Sequence, residues 1–145
     1  MKTLIALISI VTIAVLAPNA MSAHRADRGT VTVNSSRFGK IVFDGRGFAL
    51  YAFTRDPRGR SVCRGACAAV WPPYIVRSAA RAGAGVKRSL LGTTRRADGR
   101  LQVTFAGRPL YYYVGDRAPR QILCQNVSEF GGLWLVVRPN GIPVR

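Results

Sequence analysis

Two pairs of residues carry the side chains best suited to chemistry in this chain. Tyr51 precedes Asp56 and Tyr111 precedes Asp116, each as Tyr-x4-Asp with a second aromatic, Phe53 or Tyr113, two positions after the tyrosine. A phenol and a carboxylate so spaced suit a corner. The ring enters the core, a loop group satisfies the hydroxyl, and the carboxylate accepts backbone N–H groups of the turn. Asp56-Pro57 favours such a turn. The sharper alternative makes Asp56 and Asp116 a joint site for a cation or for acid/base work. Against it, six acidic residues in the whole chain supply few further ligands for calcium, which takes roughly six to eight oxygens.

The cysteines offer a second chemistry. Cys63 and Cys67 stand four apart, and on one helical turn their Cα atoms would lie about 6 Å apart, within disulfide range. We expect a Cys63–Cys67 disulfide with Cys124 as the unpaired thiol; Cys63–Cys124 is the alternative connectivity. As a redox pair, Cys-x3-Cys departs from the usual two-residue spacing and has no nearby His, although Arg60 and Arg64 could lower a thiol pKa. The lone His24 cannot form a two-His metal brace, and the cysteine set is a poor zinc site, so no metal and no cofactor is expected.

These residues must be positioned by short strands. Sliding the chain by sixty positions lays Gly39 over Gly99, Gly47 over Gly107, Leu50 over Leu110, Tyr51 over Tyr111 and Asp56 over Asp116. One inserted residue then aligns Cys63 with Cys124, and two more align Trp71 with Trp134. We read two copies of one unit, residues 30–76 and 89–137, joined by an Ala/Gly/Arg-rich linker at 77–88 and followed by a C-terminal tail at 138–145. Each unit begins as a hairpin, with Ile41–Phe43 turning through Asp44-Gly45-Arg46-Gly47 into Phe48–Phe53, and Leu101–Phe105 turning through Ala106-Gly107 into Pro109–Tyr113. Val31–Val33, Leu90–Thr94 and Leu133–Arg138 are further strand candidates, and Cys63–Val70 a short helix stopped by Trp71-Pro72-Pro73. The fold class expected is mainly β, a small domain of two tandem hairpin-containing repeats with one or two short helices.

The two Tyr-x4-Asp segments, Cys63-x3-Cys67, Trp71-Pro72-Pro73, Asp98-Gly99 and Gly107-Arg108-Pro109-Leu110-Tyr111 together resemble the secreted-repeat family of predicted lipoproteins with a Tyr-x4-Asp motif. The resemblance covers nearly all of residues 30–137. It implies an exported, envelope-associated domain built from paired repeats and transfers no biochemical activity. The chain departs from lipoprotein members in having no cysteine before Cys63 to serve as a lipobox.

Export is also read from the N-terminus. Met1 and Lys2 precede an apolar run from Leu4 to Ala17, then Pro18, Asn19 and small residues suited to cleavage, giving a signal peptide at 1–23 and a flexible tail at 24–29. Cleavage leaves 122 residues carrying +15, since Lys2 departs and all six acids remain. Of the 22 basic residues 19 are Arg, so the exterior should attract anions, and outside the cytoplasm these are envelope polymers or lipid headgroups. No aromatic-and-arginine strand resembles an RNA-recognition signature, and no specific nucleic acid is expected. The sequence reading is therefore a secreted or envelope domain with a binding or structural role and no catalysis. Its alternatives are an extracytoplasmic redox component using Cys63/Cys67 or Tyr111–Tyr113, and an anion-binding module.

Overall fold

Alternating apolar residues make Thr30–Ser36 (β1) and Gly39–Asp44 (β2) an antiparallel hairpin, with Val31 opposite Asp44 and Ser36 opposite Gly39. Repeat 2 opens the same way, with Leu91–Arg95 and Leu101–Phe105 paired around Gly99. Gly39 and Gly99 both close their turns at positive φ, 83° and 81°, where a side chain would be strained. The computed structural model describes residues 29–145. The signal segment and His24, with the rest of 24–28, lie outside the described residues.

Beyond these hairpins come β3 (Tyr51–Phe53), the single helical turn α1 (Ala66–Val70), β4 (Ile75–Val76) and β5 (Arg81–Ala82). In repeat 2, β6 is Leu91–Arg95, β7 Leu101–Phe105, β8 Arg108–Pro109, β9 Val127–Glu129 and β10 Gly132–Val136. They form three sheets, ordered β2-β1-β5, β3-β10-β9 and β4-β7-β6, with β8 also on β7. The mainly β class expected from sequence is what forms.

The pairing differs from the expected hairpins in one respect that governs the site. The turn after Asp44 brings Ala49 back against Phe43 and the Leu50 N–H onto Val42 O; β3 then leaves that hairpin and pairs with β10 of the other repeat. Likewise β4, at the end of repeat 1, pairs with β7 of repeat 2. Val42 N–H reciprocates by donating to Val137 O, at the end of repeat 2. Each repeat thus completes the other's sheets. Neither would satisfy its strand edges alone.

The segments outside the repeats are also held in the fold. Within 77–88, between the repeats, β5 runs parallel to β1, with Arg81 N–H donating to Gly29 O and Gly83 N–H to Val31 O. Gly29, expected in the tail, is therefore part of the fold. The 138–145 tail folds back as well, and Val144 is buried in the core with its N–H on Val136 O. The predicted helix shrinks to Ala66–Val70.

Candidate functional site

Tyr51 and Tyr111 meet at the centre of the molecule. Each donates its backbone N–H to the other's carbonyl at 2.9 Å, so the two equivalent residues face each other across an approximate two-fold relation between repeats. Their hydroxyls then cross over. Tyr51 Oη donates to Asp116 Oδ2 at 2.6 Å, and Tyr111 Oη donates to Asp56 Oδ2 at 2.6 Å. The second oxygen of each carboxylate accepts an N–H of the loop that follows it, from Val62 onto Asp56 at 2.7 Å and from Leu123 onto Asp116 at 2.9 Å. The corner expected from sequence forms in part: the rings are buried and the carboxylates accept turn N–H groups. The phenol, however, serves the other repeat's aspartate. The motif is an inter-repeat staple.

The remaining aromatic residues stack across the same interface. Trp71 and Trp134, equivalent by the repeat, lie face to face with centroids 4.1 Å apart and planes 3° from parallel. Phe53 stacks on Trp134 at 4.2 Å, and Tyr113 tilts onto Trp71 at 4.9 Å, extending the stack to four rings drawn alternately from the two repeats. Tyr51 meets Trp71 edge-on and Tyr111 meets Trp134 edge-on. Edge-to-face and offset contacts satisfy the ring quadrupoles and add about 0.5–1.5 kcal/mol per pair beyond burial. Pro72 and Pro73 sit where the chain needs only to accept: Pro72 O takes the Tyr112 N–H at 2.8 Å, and Pro73 bridges to Tyr111.

Electrostatics agree with a closed role. Burial pushes both tyrosine pKa values well above the usual phenol range, and their neighbouring carboxylates push the same way. Burial also raises Asp56 and Asp116, opposed by the phenol, the loop N–H, and Arg96 or Arg37. All six atoms of hydroxyl and carboxylate already have partners within the protein.

Cys63 and Cys67 form the expected disulfide, with Cα atoms 5.3 Å apart, and Cys124 is a free, buried cysteine. Burial raises the Cys124 pKa, which keeps it a thiol and slow to react. Tyr113 faces this thiol and is itself pushed up, first by the contact with Cys124.

Several polar residues here escaped the sequence reading. Buried Arg96 donates to Ser61 Oγ, Gln102 Oε1 and Cys63 O, and Ser61 Oγ in turn bonds Tyr111 Oη at 2.7 Å. Asp44, fully buried, accepts from Tyr112 Oη and pairs with Arg46 at 2.9 Å, while Glu129 accepts the Trp71 indole N–H at 2.8 Å. One arginine among nineteen offers no local signal. Asp56 and Asp116 are held by separate partners, so the joint-site alternative gains no support from their geometry. Among the described residues no cluster of three His, Cys, Asp or Glu is placed to hold a metal ion.

Residues 31–74 and 92–138 each match the sequence model of a family described as a secreted repeat of unknown function, and the two matches together take in more than half of the chain. They fall within three residues of the repeats read from sequence. No curated protein and no solved structure matches the chain.

Proposed function

The chain belongs to this family of secreted repeats, and from that premise we propose that it is an exported, non-catalytic binding module whose working surface is its cationic exterior. The family description and the disulfide agree with an extracytoplasmic location. Removal of the signal segment leaves a mature N-terminus between Met21 and Arg25. The observation that carries the non-catalytic reading is the crossed Tyr–Asp pairing, which consumes the side chains best able to do chemistry. Burial of Cys63 and Cys67 supports a structural disulfide over an exchanging one, since exchange needs access for an attacking thiolate.

Among the described residues the exposed charge is mainly that of arginine and lysine. Asp44, Asp56 and Asp116 are engaged inside the fold, Glu129 is held by Trp71, and Asp98 is paired with Arg100 at 2.7 Å. A net charge of +15 on the mature chain attracts polyanions, which outside the cytoplasm are phosphate-bearing polymers and anionic headgroups. The test is retention of the mature protein on a phosphate-bearing wall polymer and on vesicles of anionic phospholipid. We expect binding at about 50 mM salt that is lost by about 0.5 M, as ion release requires. No retention at low salt on either support overturns the reading.

A further inference from the structure

Two clefts flank the stapled core, and the repeat symmetry relates them. The first, about 340 Å³, lies between the loop after Asp56 and the β6–β7 turn; Ser61, Arg64, Arg96, Asp98 and Arg100 line it. The second, about 330 Å³, lies between the loop after Asp116 and the β1–β2 turn; Ser35, Ser36, Arg37, Arg120 and Ile122 line it. With the sixty-residue offset, Ser35-Ser36-Arg37 corresponds to Arg95-Arg96-Ala97, and with one insertion Ser61 corresponds to Ile122. In both clefts one wall is a hairpin turn of one repeat and the other is the post-motif loop of its companion. An arginine ties each junction: Arg96 Nη2 donates to Cys63 O at 2.7 Å, and Arg37 Nη2 donates to Ile122 O at 2.6 Å.

These loops are the ones the staples hold. Val62 and Leu123, whose N–H groups rest on Asp56 and Asp116, stand beside Ser61 and Ile122 in the cleft walls. The motif therefore positions cationic walls at two equivalent places. Three arginines less one aspartate leave two positive charges on the first cleft, and two arginines give the second the same charge.

One feature of the first cleft is costly without a ligand. The Arg96 side chain is only 4% exposed, its Nε makes no hydrogen bond among the described residues, and the nearest carboxylate oxygen among them, Asp98 Oδ2, stands 3.7 Å away and is shared with Arg100. Its Nη1 and Nη2 donate to Ser61, Gln102 and Cys63, all uncharged, so the buried positive charge has hydrogen bonds but no close counter-ion, and an anion bound in the cleft would supply one. Arginine forks suit oxyanions, and a tetrahedral phosphate presents oxygens to several guanidinium groups from different directions, whereas a carboxylate is planar and fills one fork.

We propose that the two clefts are paired phosphate-binding subsites, one at each repeat junction, so that phosphate-bearing ligands engage the protein at built positions and not over its whole surface. This rests on the anion-binding reading above and goes beyond it in naming where and what. The phosphate belongs either to a soluble polymer or to a lipid headgroup.

Calorimetric titration of the mature protein with sodium pyrophosphate tests it, beside retention on polyphosphate resin and on phosphatidylglycerol vesicles. The test variant is Arg64→Gln/Arg100→Gln/Arg120→Gln, all exposed cleft residues, and the charge-matched control is Arg77→Gln/Lys87→Gln/Arg145→Gln, all exposed and outside both clefts. Thermal melts check folding, and single Arg64→Gln and Arg120→Gln variants give the same comparison should the triple melt early. We expect two sites per chain, with the cleft variant raising Kd about tenfold or more, the loss of charge-assisted hydrogen bonds, and the control staying within about twofold. Cleft-dependent retention on resin assigns the polymer, and on vesicles the headgroup; either supports the subsites. Equal losses in cleft and control variants overturn the subsites while leaving general anion binding intact. No binding by the parent overturns both.

Discussion

The Tyr111–Asp56 pair and the Tyr51–Asp116 pair share one backbone geometry in two different surroundings. Asp56 is half-buried, and its phenol lies in a polar chain running through Ser61, Arg96 and Gln102. Asp116 is 3% exposed; where repeat 1 has Ser61, repeat 2 has the apolar Ile122, and the Cys124 backbone N–H faces the Tyr51 hydroxyl. The cysteines diverge in the same way. Cys63 is bonded to Cys67 on a helical turn that repeat 2 replaces with the β9 segment, and its counterpart Cys124 remains a thiol. What both halves keep is the crossing of phenol to the other repeat's carboxylate, which identifies that crossing as the unit on which the fold depends.

The shared ring stack ties the two repeats most strongly. Trp71→Ala and Trp134→Ala should each cost about 3–5 kcal/mol, as truncation of a buried aromatic does. Because each ring packs against both repeats, either variant should still melt in one transition. Two separated transitions, one per repeat, would show the halves to be independent. Trp→Phe at the same places sharpens the test: Trp71 Nε1 is bonded to Glu129, whereas Trp134 Nε1 makes no hydrogen bond among the described residues, so Trp71→Phe should be the costlier.

Sequence carried the repeats, the motif residues, the disulfide and the glycine turns, because offsets, spacing and turn chemistry are local signals. It did not carry the partner of β3. The Asp44-Gly45-Arg46-Gly47 turn reads as closing a hairpin onto Phe53, and it does return the chain as far as Leu50. The departure of Tyr51 to β10 is decided by packing some eighty residues away, which strand propensity cannot report. Nor could it tell that Tyr51 seeks Asp116, sixty-five residues on, when Asp56 stands five residues away with the same chemistry. The polar residues Arg96 and Gln102 were invisible for the same reason: their burial follows from the crossing of the repeats.

Substitution of the two aspartates separates the environments. Asparagine can keep its oxygen on the loop N–H but then points an N–H at the phenol, whose proton needs another acceptor. Tyr111 has Ser61 Oγ available; Tyr51 has only the Cys124 N–H, which is a donor. Asp116→Asn should therefore cost about 1–3 kcal/mol and Asp56→Asn about 1 kcal/mol or less in denaturant melts. A double-mutant cycle then tests the crossing: Tyr51→Phe should couple with Asp116→Asn by about 1 kcal/mol and be additive with Asp56→Asn. Coupling of Tyr51 with Asp56 instead would return the motif to a corner within each hairpin.

The smallest effect is on pH dependence. Burial holds the folded pKa values of Asp56 and Asp116 above those of the unfolded chain, so their contribution to stability is fully present below the ordinary carboxylate pKa and is lost as pH rises through the raised values. Asp98 has the opposite sign: exposed, it is held to about 2 by Arg100, so its contribution is present above the ordinary carboxylate range and fades as pH falls towards about 2. The melting temperature should accordingly rise as pH is lowered from neutral towards the ordinary carboxylate pKa of about 4, and fall again only near the acid end. The Asp56→Asn/Asp116→Asn variant removes the two groups that set the upper slope and leaves Asp98, so its profile should be flat above the ordinary carboxylate range and keep the acid-side fall. The single variants divide the slope between the two repeats. A parent whose melting temperature instead climbs as pH rises from the ordinary carboxylate range, about 4, to neutral would mean that the phenol and N–H bonds to the carboxylates outweigh their burial, and both aspartates would then have to be counted as stabilised anions.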